Sequence, residues 1–397
     1  MRLWKPFVVR GVSYLEKQNE TKQSSSALPL QLRHNFTRFK EYWKLLEYAR
    51  SVPEISRHFG QSVHTWLGDL PSTPWEYLSF PLVEQARRKH RGSTVIFDRK
   101  TFRSSAQRLV NYFFDDFMSF LYVVPLRNFE SNAKEIRVSS SLRIRSIKRA
   151  ELAPFSRHEF SSKVQVRAPR FALEMTHRAK KYFGTSHEDK EGPAPGDEIE
   201  SVFSAMRLFK QGTFAHDLMT VIPSIGFPRM QVWMGVGLRS WLGPVTRSYV
   251  LKDSEVRQFC WFCSSFLRGE LPSVVKIALR RFGFAYDRGS LEDKLIDYVV
   301  ALESLFLREG EQTEIGHRLS LRVAKLLSKT FARRLQTKKK VSDLYSKRSR
   351  IAHGDETSLQ EEDILRAENL VRSSLRALLV RLRHQVHDNV LLHLDLD

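Results

Sequence analysis

The chain has 397 residues, 42% hydrophobic and 27% charged, an ordinary globular balance that excludes a disordered or fibrous protein. That length exceeds one core, so two or three domains are expected. Sixty-five Lys and Arg against 44 Asp and Glu leave a net charge of +21, which points to polyanionic partners.

From the N-terminus, the apolar run Pro6 to Val9 is too short for a secretory signal. The best apolar stretch, Tyr112 to Leu126, is broken by Asp115 and Asp116, so no membrane span is expected. A cytoplasmic protein is the expectation. Phe36, Phe39, Trp43 and Leu46 recur at helical spacing, and this helix should end before Pro53. Leu109, Phe113, Phe117, Phe120 and Leu121 predict a second amphipathic helix.

From Ile136 the pattern alternates. Ile136 and Val138, Leu142 and Ile144, then Val164 and Val166 predict short strands. Ser186 to Asp197, rich in Gly, Pro and acids, predicts a loop; Glu198 to Lys210 predicts a helix stopped near Gly212. Gly226 to Val250 suggests further short strands and turns, and Pro272 is the expected domain boundary. Cys260 and Cys263, the only two cysteines, fall in an apolar helical stretch without a second pair or a nearby His, which favours core packing over metal or redox chemistry.

Beyond Pro272 the pattern is almost purely helical. Ser290 with Asp293 predicts a cap for a helix carrying Leu295, Val299, Leu302 and Phe306, closed by Gly310. A helix from Thr313 should bury Ile315, Leu319, Val323 and Leu326; the next, from about Gln336, carries Val341, Leu344 and Tyr345 and stops at Gly354. Ser358 with Glu361 predicts a capping box for a long last helix through Leu382. Short loops between these helices imply an antiparallel bundle. The expected fold class is therefore α+β, mostly α, with a helical or mixed region over 1–135 of no evident role, a mixed α/β segment over 136–272 and an all-α bundle over 273–397.

Charge gathers in the same bundle. Ser320 to Arg350 holds Arg322, Lys325, Lys329, Arg333, Arg334, Lys338, Lys339, Lys340, Lys347, Arg348 and Arg350 against one acid, Asp343, a net of +10 in 31 residues. Phosphate-backbone attraction explains such a run, with Arg333, Arg334, Lys338, Lys339, Lys340, Lys347 and Arg350 as the contacts; a solvated basic face is the plainer reading.

Three pieces of this region resemble a known family: Ala301-Leu-Glu303-Ser-Leu305, Glu314 through His317-Arg318 to Arg322-Val-Ala, and Tyr345-Ser-Lys-Arg348-Ser-Arg-Ile351-Ala-His353-Gly354. Together they are similar to the Apea-like branch of the HEPN superfamily. The likeness runs over about Val274 to Val386 and extends more weakly to Leu142-Arg-Ile-Arg145 and Ala205-Met-Arg-Leu-Phe209. It implies a helical domain that dimerises so that two Arg-x4-6-His motifs face one cleft and cut RNA without metal or other cofactor, often as a toxin or antiphage effector. Carried onto this chain, Arg348 and His353 are the catalytic candidates.

The chemistry suits these residue types. RNA supplies its own nucleophile in the 2′-hydroxyl, so proton transfer and charge stabilisation suffice. An imidazole moves protons near neutral pH, and a guanidinium fork fits phosphate oxygens. Five helical steps set Arg348 and His353 roughly 140° apart, so one continuous helix does not aim both at one phosphate; a second protomer or a helix end at His353 resolves this. Tyr345 and Ser349 are supporting candidates. Glu303 with Arg318 or Arg322 reads as a structural brace, against a role in orienting Arg348. A noncatalytic HEPN module that binds nucleic acid or a nucleotide stays open beside the nuclease, as does a protein-interaction scaffold.

Overall fold

The computed structural model describes residues 40–59, 63–65, 68–70, 90, 91, 94, 95, 98–147, 169–183, 195–216, 219–223, 232–234, 247–308, 310, 311 and 313–396. Phe36 and Phe39, Val164 and Val166, and most of the Ser186–Asp197 and Gly226–Val250 segments lie outside the described residues. The chain forms two compact units, one built from 1–123, 174–194 and 219–234, the other from 124–173, 195–218 and 235–397.

The first unit contains helices α1 (Lys40–Ser51), α2 (Pro53–Ser56) and α3 (Arg99–Phe114). Asp98 caps α3, its carboxylate accepting from the Lys100 and Thr101 amides at 3.2 and 3.3 Å. The helix expected to run on to Leu121 stops at Phe114, and Phe117–Leu126 is a strand. Asp115 turns the chain: its backbone is extended and its carboxylate accepts from the Phe117 amide at 2.9 Å. Met118, Phe120 and Tyr122 then bury one face of the strand, which pairs antiparallel with Met219–Pro223 in the register Thr220↔Val123. His58 packs between Tyr112 and Phe113, with both rings 5.1 Å away. Lys181 donates from Nζ to the Tyr112 carbonyl.

The second unit sets short strands beside a helical body. Phe129–Ser131 pairs parallel with Tyr249–Leu251, and Glu135–Arg137 pairs antiparallel with Leu142–Ser146, so the alternation read at Ile136 and Ile144 is a real hairpin. The helices are α4 (Pro195–Phe209), α5 (Asp253–Arg268), α6 (Ser273–Asp287), α7 (Leu291–Phe306), α8 (Ile315–Leu327), α9 (Phe331–Ala352), α10 (Glu361–Arg381) and α11 (His387–Leu396). Helix α4 begins at Pro195, inside the expected loop, because proline's fixed φ suits a first helical turn. Cys263 is buried and Cys260 half-buried on α5, and burial pushes both thiols up.

Helix α7 is the centre of this body. The Ser290 hydroxyl accepts from the Asp293 amide at 3.1 Å, which starts it. It buries Leu295, Tyr298, Val299, Ala301, Leu302, Leu305 and Phe306 and packs against α6, α8, α9 and α10. Helix α9 begins at Phe331, five residues before its expected start. Its first two turns bury nothing (Phe331 is 81% exposed), so the apolar rhythm that marks a helix is absent until Val341.

The cap of α10 also differs from expectation. Asp363, not Glu361, reaches back to accept from the Gln360 amide at 3.1 Å, and Ser358 merely accepts from the Gln360 side chain. A further helix, α11, lies beyond the expected last one; it buries Val390, Leu391 and Leu394 and docks through His387 Nε2 on the Leu305 carbonyl at 2.8 Å. No helix among the described residues is long and apolar enough to cross a membrane.

Candidate functional site

The site is built on the last two turns of α9. Gly354 adopts φ +83, a left-handed conformation that ends the helix, and the Asp355 amide folds back to the Arg350 carbonyl at 2.9 Å. His353 is the C-cap residue; its amide is shared between the Ser349 and Arg350 carbonyls at 3.1 Å each. Its side chain is exposed, and among the described residues it has no partner. Arg348 lies five residues earlier, about 7.5 Å along the helix axis.

Arg348 is half-buried against α7. Its Nη2 meets Glu303 Oε2 at 3.5 Å, the outer limit of a hydrogen bond, and its Nε is buried without a partner. Burial pushes the Glu303 carboxyl above its usual range despite the pull of Arg348. The pair is therefore weak on both sides, with a guanidinium only partly satisfied and a carboxylate that desolvation disfavours. Tyr345, one turn before Arg348, is set against α8: a Cβ on Gly316 would lie 2.7 Å from its ring. Ser349 is half-buried beside them.

The brace expected between Glu303 and Arg318 or Arg322 is absent, because both arginines face another carboxylate. Arg322, 1% exposed, donates twice to Glu311 (2.6 and 2.7 Å), twice to Asp395 (2.7 and 2.8 Å) and also to the Phe306 carbonyl. Arg318 meets Glu311 at 3.3 Å. These guanidiniums hold Glu311 down to about 2 and Asp395 below the usual carboxylate range. Sequence reasoning misses the bracing carboxylates; Asp395, 73 residues from Arg322, offers no local signal. Gly316, a glycine inside a helix, does carry one.

The basic run does not form one face. Lys347 is committed to Asp363 at 2.9 Å and Asp343 at 3.5 Å, Arg334 to the Ser328 carbonyl, and Lys325 to the Asp395 carbonyl. Arg333, Lys339, Lys340 and Arg350 are exposed and Lys338 is half-exposed, and among the described residues none has an ion-pair partner. They are distributed around α9, since at 100° per residue Lys338, Lys339 and Lys340 point three ways. Among the described residues no group of three or more His, Cys, Asp or Glu is placed to hold a metal ion.

No family model, no curated protein and no solved structure matches this chain.

Proposed function

We propose that the chain is a HEPN-type endoribonuclease that works without a metal as a homodimer, with Arg348 and His353 as its catalytic pair. The observation that supports it most is the contrast at the end of α9: among the described residues, an unengaged, exposed imidazole follows a guanidinium whose only side-chain partner is 3.5 Å away. A phosphodiester offers Arg348 better acceptors than Glu303 does, because its two non-bridging oxygens match the fork. His353 takes the 2′-hydroxyl proton as that oxygen attacks phosphorus, or returns one to the departing 5′-oxygen. The bond from phosphorus to the 5′-oxygen breaks, leaving a 2′,3′-cyclic phosphate and a 5′-hydroxyl. A second protomer supplies the group that one helix turns away by roughly 140°. Service as a toxin or antiphage effector follows from the family resemblance alone.

The test is incubation of wild type, Arg348→Ala and His353→Ala with RNA in EDTA, reading fragment ends. Cleavage by wild type alone, with cyclic-phosphate ends, is expected. Equal cleavage by His353→Ala removes the assignment.

The Arg348–Glu303 contact also favours a second reading, a HEPN module that binds RNA without cutting it, held by Arg333, Lys338, Lys339, Lys340 and Arg350. Under that reading RNA is retained intact, and neutralising Lys338, Lys339 and Lys340 lowers the salt slope of single-strand binding by about 0.7 for each phosphate that the lysines cease to neutralise.

A further inference from the structure

Phe331, the first residue of α9, is 81% exposed, and Leu335, one turn on, is 60% exposed. Single apolar side chains on a surface need no explanation. These two are set apart by the strip they begin. At 100° per residue, Leu335, Lys338 and Lys339 fall within about 80° of Phe331 around the helix, and so do Ser342, Ser346 and Ser349, which lead on to His353. None of these residues is buried, and the strip climbs about 33 Å from Phe331 to His353.

The strip is cationic, and no acid on it offsets the charge. Asp and Glu are absent from Ile315 to Ser342, so neither α8, which packs beside α9, nor the first three turns of α9 carries one. Asp343, the one acid on α9, lies about 120° from Phe331 and 3.5 Å from Lys347. Glu303 and Asp363 meet α9 at Arg348 and Lys347, on other faces, and Asp355 and Glu356 lie past its opposite end. Lys338 and Lys339 stand on either side of Leu335, and among the described residues neither has an ion-pair partner, whereas Lys340 points away at about 180° from Phe331. No side chain caps the first turn and no acid occupies it, so the positive end of the helix dipole adds to the lysines.

Charge and chemistry select the occupant. Cations beside an exposed phenyl ring fit a polyanion that carries flat apolar faces, which is an unpaired nucleic-acid strand. A duplex keeps its bases stacked on one another and offers the ring none. A second copy of a chain with net charge +21 would set cations against cations. Two apolar side chains followed by serines give a bilayer little to hold.

We infer that Phe331 is a remote base-stacking subsite and that the α9 strip carries one RNA strand from it toward His353, with Lys338 and Lys339 on the phosphates between; the His353 end rests on the nuclease reading. At about 3.4 Å per stacked nucleotide the strip spans roughly ten nucleotides, fewer for an extended strand, so a very short RNA does not occupy both ends. The test titrates the full chain with a labelled 2′-O-methyl strand of about 12 nucleotides, which lacks the attacking hydroxyl and reads binding alone. Phe331→Ala should weaken binding about tenfold without shifting the thermal melt, and should leave a duplex of the same length bound as before. Lys338→Ala and Lys339→Ala should each lower the salt slope by about 0.7, and Trp261→Ala, an exposed aromatic on α5, should change nothing. With cleavable RNA in EDTA, Phe331→Ala should raise KM about tenfold at constant kcat for the long strand and leave kcat/KM of a trinucleotide unchanged. Absence of cleavage by wild type, with strand binding that depends on Phe331, would remove the nuclease and keep the subsite. No strand binding, or binding that Phe331→Ala leaves at the wild-type level, would overturn the inference whether or not the protein cuts. A shift from dimer to monomer in Phe331→Ala, or Phe331-dependent binding to anionic vesicles in place of RNA, would assign the strip elsewhere and overturn it too.

Discussion

Arg322 and Arg348 both face a glutamate in the same unit, but the two surroundings differ in nearly every physical respect. Arg322 is sealed from solvent, and each of its three nitrogens donates at hydrogen-bond distance to Glu311, Asp395 or the Phe306 carbonyl. Arg348 is a quarter exposed, meets Glu303, its one carboxylate partner among the described residues, at 3.5 Å and keeps a buried Nε unsatisfied. The first arrangement ties the loop before α8 and the end of α11 to one point. The second leaves a cation in reach of solvent with little to lose by changing partner. A guanidinium beside a carboxylate is thus structural or available according to how many of its donors are satisfied.

The largest effect that tests this contrast is on stability. Arg322→Ala removes the partner of two carboxylates and should cost about 3 to 5 kcal/mol, read as a lower urea midpoint; Arg348→Ala should cost about 1 kcal/mol or less. Acidification loads the same unit without touching either arginine. Burial first, and then the charge of Arg207, hold the His216 imidazole down to about 3, so the folded state binds its proton far less readily than the unfolded chain does. The stability from this residue is complete above pH 6.5 and is lost as pH falls, at about 1.4 kcal/mol per pH unit. His216→Gln should flatten the urea midpoint between pH 6.5 and 5. Glu311, held down to about 2, adds its own loss only below about pH 4.5.

A smaller effect sharpens the Arg348 side. In Gly316→Ala the new methyl meets the Tyr345 ring, and either the ring or the helix packing must give. A cost of about 1 to 3 kcal/mol is expected, together with lower RNA cleavage if Tyr345 positions the α9 tip. The smallest change in stability belongs to Glu303→Gln. Removing a carboxylate that burial already disfavours should move stability by less than about 1 kcal/mol while freeing Arg348, so RNA binds at least as tightly as to wild type. Weaker binding would mean that Glu303 aims the guanidinium rather than competing for it.

What the sequence discloses follows the reach of each interaction. Ser290 and Gly354 are readable because caps act over three or four residues, and α7 because its apolar stripe repeats along one helix. The Phe117 strand is mistaken for helix because Phe113, Phe117, Phe120 and Leu121 fit helical spacing as well as Met118, Phe120 and Tyr122 fit alternation; the choice is made by Asp115 and by pairing with residues about a hundred positions away. Lysines and arginines in the basic run are countable, but Lys347 and Arg322 are claimed by Asp363 and Asp395, which no local spacing reveals.

Arg348→Ala, measured for unfolding and RNA cleavage on the same preparation, tests the account most directly. A melting temperature within about 4 °C of wild type with cleavage in EDTA abolished is the predicted result. Unfolding as severe as that of Arg322→Ala, or cleavage at the wild-type rate, would contradict it.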